Sequence, residues 1–187
     1  MSAQASILAA IRANKPGPRP LPVLPTYSAT AAENLALFTE VIGGSKGKVI
    51  QRVELADYVA EHFGDAQSIV SFVPEITGTL PVTTTTEPLS LAGVDLTIIT
   101  GRFAVAENGA IWVTEEEAVV RVLPFITQHL IIVVEGPLVP TMHEAYPLAK
   151  VGETGFGVFI AGPSKTADIE QSLVIGAHGP RSLAVAF

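Results

Sequence analysis

Apolar residues in this chain are spaced in two ways, and each way predicts a kind of element. Near the N-terminus Ile7, Leu8 and Ile11 recur at helical intervals, which predicts a short amphipathic helix over residues 2–14. A helix of that length is marginal alone in water. The following stretch, Lys15–Pro25 (KPGPRPLPVLP), is punctuated by prolines that remove backbone donors and favour an extended, polyproline-like path. It reads as a stiff linker or as an arm laid over a neighbour. The helix it carries would pack on its own domain or dock on another subunit, giving a homo-oligomer. Residues 1–25 therefore form an N-terminal helix and proline-rich arm, and residues 26–187 form the main domain.

From Thr30 onward helical and strand-like patterns alternate. The stretch TAAENLALFTEVIGG reads as a helix stopped by Gly43 and Gly44, and KVIQRV after it as a strand. Glu54–Phe63 is helical in pattern, Ser68–Phe72 is a short buried strand, and Val94–Thr100 is another apolar run of strand length. The threonine-rich stretch between them reads as irregular or as an edge strand. FAVAENGAIWV, HLIIVVEG, GVFIAG and SLAVAF then give a second half dominated by strands. These runs are continuous rather than alternating, which implies strands covered on both faces. The fold class that follows is α/β, an open and mostly parallel sheet with flanking helices.

Composition narrows the function classes. With 48% apolar and 16% charged residues the 187-residue chain can build a sizeable core. A formal net charge of -7 argues against recognition of a nucleic-acid backbone. There is no cysteine, so this chain offers no disulfide, no thiol nucleophile and no thiolate ligand for an iron–sulfur cluster. The absence of a signal-like N-terminus and of a membrane-length apolar run predicts a cytoplasmic protein without a membrane span.

Two constellations could carry chemistry. The first is Gly101–Ala110, where Glu107 precedes Asn108-Gly109. Asn-Gly suits a type I′ β-hairpin turn, which is the plainer account. The sharper one makes Glu107 a partly buried carboxylate at a strand end, acting as nucleophile or base, with Arg102 as an anion contact. The second is the closing segment from Gly162, GPSKTADIEQSLVIGAHGPR, read as a loop, a helix with Ile169 and Leu173 on one face, and a tight turn into the last strand. Ser164 or Thr166 would cap that helix and Asp168 and Glu170 would complement its dipole. The free amides and Lys165 would make a modest anion site. His178 is a candidate acid, base or substrate contact in the turn. In an open α/β sheet, ligands lie at the carboxyl ends of strands, where Glu107 and the Gly162–Thr166 loop are predicted to fall. His62, His129 and His143 lack metal-ligand spacing, so no metal site is predicted. Glu115-Glu116-Glu117 reads as a solvated loop or helix start.

Three pieces together resemble the LUD domain family, the lactate-utilisation proteins of the protein C type. They are Ala-Glu-x-Gly at Ala106–Gly109, Leu-Pro-x(4)-His-Leu-Ile-Ile-Val-Val at Leu123–Val134, and the closing GPSKTADIEQSLVIGAHGPRSL. The resemblance covers Val94–Phe187. It implies a fold similar to the group of ribose-phosphate isomerases, glucosamine-phosphate deaminases and coenzyme A transferases. It also implies a bacterial role in oxidising L-lactate to pyruvate, with no cofactor on this chain and iron–sulfur clusters on partner proteins. The leading expectation is a non-redox component that binds a small carboxylate, or those iron–sulfur partners, through Arg102, Glu107, Asn108, Gly109, Ser164, Lys165, Thr166, Asp168 and His178. Glu107-Asn108-Gly109 is also similar to the Glu-Asn-Gly of family I coenzyme A transferases. The alternative is accordingly an acyl-transfer enzyme with Glu107 as its nucleophile.

Overall fold

The computed structural model describes residues 2–20, 22–23, 27–167 and 173–187. Helix α1 spans Ala3–Ala13, capped by the Ser2 hydroxyl, and buries none of its residues. Helix α2, Ala31–Gly44, begins with a full capping box. The Thr30 hydroxyl accepts from the Glu33 amide and the Glu33 carboxylate accepts from the Thr30 amide. Gly43 and Gly44 do not stop this helix; they form its last turn. The stop falls on Lys46, which takes the left-handed conformation while the Gly47 amide reaches back to Ile42 O and the Lys46 amide to Gly43 O.

Five parallel strands form the central sheet, in the order β1-β11-β6-β3-β2. They are β1 (Lys48–Ile50), β2 (Ile69–Ser71), β3 (Leu96–Gly101), β6 (His129–Val134) and β11 (Ser182–Ala186). The second sheet, ordered β7-β4-β5-β8, comprises β4 (Phe103–Val105), β5 (Ala110–Thr114), β7 (Leu138–Val139) and β8 (Gly157–Ile160). Helix α3, Leu55–Phe63, makes the long crossover from β1 to β2 at the opposite edge. Short helices α4 (Glu115–Ala118) and α5 (Leu123–Ile126) join β5 to β6, and α6 (Met142–Ala149) follows β7. Glu115-Glu116-Glu117 is indeed a helix start, capped by Thr114.

The alternation of side chains along the strands builds a layered core. On β6, Ile131 and Val133 pack with Leu55 and Val59 of α3, whereas Leu130, Ile132 and Val134 face the opposite way. There they meet Phe38 and Ile42 of α2 and the inner face of the second sheet, Ala104, Ile111 and Val113. The outer face of that sheet, Phe103, Val105 and Trp112, is covered by Ala145 and Ala149 of α6. A parallel sheet buried on both faces reads as unbroken apolar runs, as the sequence does. Phe38 and Ile42 are fully buried, each contributing on the order of 1.5–3 kcal/mol.

Two glycines permit close approaches within this core. A Cβ at Gly101 would lie 2.4 Å from Ile111 Cγ2, and one at Gly136 would lie 1.9 Å from Arg102 O. The stretch between β2 and β3 is irregular apart from a 3-10 turn at Pro88–Leu91. The closing segment departs from its predicted helix. Lys165–Ala167 (β9) and Leu173–Ile175 (β10) pair antiparallel, with Thr166 opposite Val174 and Lys165 opposite Ile175. The β-branched Thr166, Val174 and Ile175 favour this pleated pairing over a helix. Ile169 and Glu170 lie outside the described residues.

Candidate functional site

The candidate residues settle in three separate places. The first is the turn joining β4 to β5. It is a hairpin, but not of type I′: the loop is Ala106–Gly109, and of these residues only Gly109 is left-handed, at φ 68°. A four-residue loop needs just one such residue at its end. The Gly109 amide donates to Val105 O at 3.0 Å and the Ala110 amide to Asn108 Oδ1 at 3.1 Å. A Cβ on Gly109 would sit 3.0 Å from Ile42, so α2 presses directly on this turn.

Glu107 is exposed rather than partly buried. Its amide donates to Pro140 O at 3.1 Å, and its Oε1 accepts from the Met142 amide at 2.6 Å. Met142 opens α6, whose N-cap Thr141 accepts from the Glu144 amide. The carboxylate thus meets an otherwise orphan amide at the positive end of a helix dipole. It stands beyond the carboxyl end of β4, in the second sheet rather than the central one.

Arg102 occupies the opposite end of β4. Five residues of extended chain put it about 16 Å from Glu107. Its guanidinium pairs with Glu116 and, through Nε at 2.7 Å, with Glu117. It ties the start of β4 to α4.

The third place is a cavity of about 260 Å³ lined in part by Ser164 and by the exposed Lys165 and His178. Its apolar wall includes Phe125, Leu130, Val158, Ile160 and Leu183. The Ser164 amide is not free for an anion, because it donates to Pro180 O at 2.8 Å, and Ser164 O accepts from the Gly176 amide at 2.9 Å. These two bonds fold the turn containing His178 back over Ser164. Pro180 precedes β11, so this cavity sits at the amino ends of the central strands, opposite to the predicted edge. Thr166 is exposed on the hairpin, with its hydroxyl 3.4 Å from Val174 O. Asp168 lies outside the described residues.

Sequence reasoning missed a second polar group at the same amino edge. His129 Nδ1 lies 2.7 Å from Ser182 Oγ, its register partner on the adjacent strand. The Phe63 ring packs 5.1 Å from the imidazole. Burial pushes the His129 imidazole below its ordinary pKa, Arg181 adds to the shift, and Asp95 opposes it. Asp95 is held below the usual carboxylate range by amide donors from Ser68 and Gln67 and by the Ser68 hydroxyl. An open cleft of about 540 Å³ is lined by His62, Asp95, Gln128, His129 and Arg181. The only signal in sequence was a histidine and a serine each opening an apolar run, which gains meaning once β6 and β11 are known to be neighbours.

At the carboxyl edge Arg52 bridges Glu75, at 2.6 Å, and Glu135, at 2.9 Å. Among the described residues no three His, Asp or Glu side chains converge as a metal ion would require, and no helix is long and apolar enough to cross a membrane.

The architecture is that of an α/β protein with a buried parallel sheet and an appended mixed sheet. A family model described as the LUD domain matches residues 89–187, more than half of the chain, and the chain belongs to that family. It is 36% identical over 90 residues to lactate utilization protein C of Bacillus pumilus (strain SAFR-032), a match covering 44% of this chain and 38% of that protein. It is 45% identical over 58 residues to lactate utilization protein C of Exiguobacterium sp. (strain ATCC BAA-1283 / AT1b), covering 28% and 25% of the two chains. The matched stretches therefore span between a quarter and just over a third of those relatives. In fold the chain is similar to the crystal structure of a DUF162 family protein from Deinococcus radiodurans, at a TM-score of 0.64 and 20% identity over 85% of this chain and 98% of that one.

Proposed function

We propose that this chain is the non-redox component of a bacterial lactate utilisation system and that it binds a small carboxylate where Ser164, Lys165 and His178 meet. Membership of the LUD domain family and similarity to proteins named lactate utilization protein C support the pathway. The observation that carries the site is that Ser164, Lys165 and His178, a hydroxyl-, an ammonium- and an imidazole-bearing residue, line one apolar-walled cavity of about 260 Å³. A three-carbon hydroxy acid suits such a space: Lys165 would pair with the carboxylate, Ser164 and His178 would meet the hydroxyl, and the apolar wall would take the methyl group. The chain has no cysteine, and electrons from lactate would pass to iron–sulfur partner proteins.

Engagement of the Glu107 carboxylate by the Met142 amide supports a fastening role for that residue over a nucleophilic one. Co-purification with cysteine-rich iron–sulfur proteins, followed by a lactate-dependent electron-transfer assay, tests the reading. The assay is expected to fail when this chain is withheld. Full activity of the partners alone would overturn it.

A further inference from the structure

The first residues of the chain and a groove beside α4 have complementary chemistry. Helix α1 leaves Ile7 and Ile11 60% and 61% exposed, and Leu8 42% exposed. Ile7, Leu8 and Ile11 share one face of an 11-residue helix that would be marginal without a surface to cover it. Charge is divided just as sharply. Arg12, Lys15 and Arg19 precede the first acidic residue, Glu33, so residues 1–32 carry +3 and residues 33–187, with eight basic and eighteen acidic residues, carry -10.

The groove has a volume of about 780 Å³ and runs between the threonine loop at Thr84–Thr86 and the segment after α4. Pro88, Val119 and Val122 give it apolar surface, and Leu89 beside it is 79% exposed. Glu87, Glu115, Glu116 and Arg121 are the charged residues of its lining, three negative to one positive. Glu115 is paired with Arg121 and Glu116 with Arg102, whereas Glu87 makes no ion pair among the described residues. Val119 holds a positive φ of 59°, with the Val120 amide closing a tight turn onto Ala118 O at 2.6 Å. That strained turn keeps Val119 and Val122 in the groove lining rather than in a continued α4.

We propose that this groove receives the N-terminal helix of a second copy of the chain, with Ile7, Leu8 and Ile11 against the valines and Arg12, Lys15 and Arg19 near the carboxylates. Amphipathic helices dock in apolar grooves in this way, and acidic flanks select a basic helix. The proline arm favours exchange between copies over folding back. A polyproline path of sixteen residues spans about 50 Å, a reach that suits delivery of a helix to a neighbouring copy. The inference is independent of the carboxylate cavity.

Size-exclusion chromatography with light scattering on the full chain tests it, together with a cross-link that the cysteine-free sequence makes clean. The wild type is expected to dimerise, at least tenfold more weakly at 500 mM than at 50 mM salt. Ile7→Asp with Ile11→Asp should leave a folded monomer, because α1 buries nothing in its own domain. Mixing Ile11→Cys chains with Pro88→Cys chains should give a disulfide-linked heterodimer of twice the 19.6 kDa chain mass. A monomeric wild type, an unchanged dimer in the Asp variant, or a chain carrying both cysteines that cross-links only within itself would each overturn the proposal.

Discussion

The carboxylate of Glu107 accepts the backbone amide of Met142 at 2.6 Å, joining the β4–β5 turn to the first residue of α6. Because α6 covers Phe103, Val105 and Trp112 on the outer sheet face, this one bond helps hold a helix over a buried aromatic layer. Glu107→Ala removes the acceptor and is expected to destabilise the fold by about 0.5–2 kcal/mol, the usual cost of losing a helix cap. Glu107→Gln keeps an acceptor oxygen and should lose less. Chemical denaturation of the three proteins checks this. Equal stability of all three, with an acyl adduct on the wild type alone after incubation with acyl-coenzyme A, would restore the nucleophile reading.

Thr97 lies on β3 of the central sheet with its hydroxyl buried and without a hydrogen-bond partner among the described residues. Desolvating such a group without a hydrogen bond costs on the order of 1–3 kcal/mol. Thr97→Val keeps the shape and removes the unsatisfied oxygen. A rise in melting temperature is expected, by several degrees if about 1 kcal/mol is recovered. A clear fall would mean the hydroxyl has a partner in solution.

His129 sets a pH dependence with a definite sign. Its folded pKa lies below the ordinary value near 6.5, so the unfolded chain binds the proton more readily. Its contribution is present in full above pH 6.5 and is lost as pH falls through the folded pKa. Asp95 is likewise depressed, but its contribution fades only below the unfolded aspartate value of about 3.9. Melting temperature should therefore drop between pH 7.5 and 5.5, and His129→Gln should flatten that drop. An identical pH profile in the variant would refute the assignment.

At Gly136 the chain after β6 passes tightly against Arg102, the residue before β4. A methyl group there would meet Arg102 O at 1.9 Å, against a backbone that cannot swing aside. Gly136→Ala is expected to cost several kcal/mol or to abolish folding, measured by expression and circular dichroism, whereas Gly43→Ala, which meets nothing within 4 Å, should be tolerated. A folded, normally stable Gly136→Ala protein would show that the backbone can shift.

Much of the central sheet was legible because burial on both faces writes itself as apolar runs such as HLIIVV and SLAVAF. Helices α2 and α3 were legible from caps and spacing. What escaped was non-local. Nothing in the order of residues says that Ser182 stands beside His129, or that Glu107 reaches a helix thirty-five residues later. The closing segment misled because Ser164 and Thr166 suit a helix cap and a strand start equally well. Its pairing is decided by β-branched residues at Thr166, Val174 and Ile175, and by the bonds from Ser164 to Pro180 and Gly176. Those same bonds moved the Ser164–His178 cavity to the amino edge of the sheet, where a general rule about carboxyl edges could not find it.

The carboxylate cavity is tested most directly by titrating L-lactate into the isotopically labelled chain and following its amide resonances. The account predicts saturable shifts centred on Ser164, Lys165 and His178, and at least tenfold weaker binding in Lys165→Met. Shifts centred instead on Glu107 and Met142, or none that saturate, would contradict it.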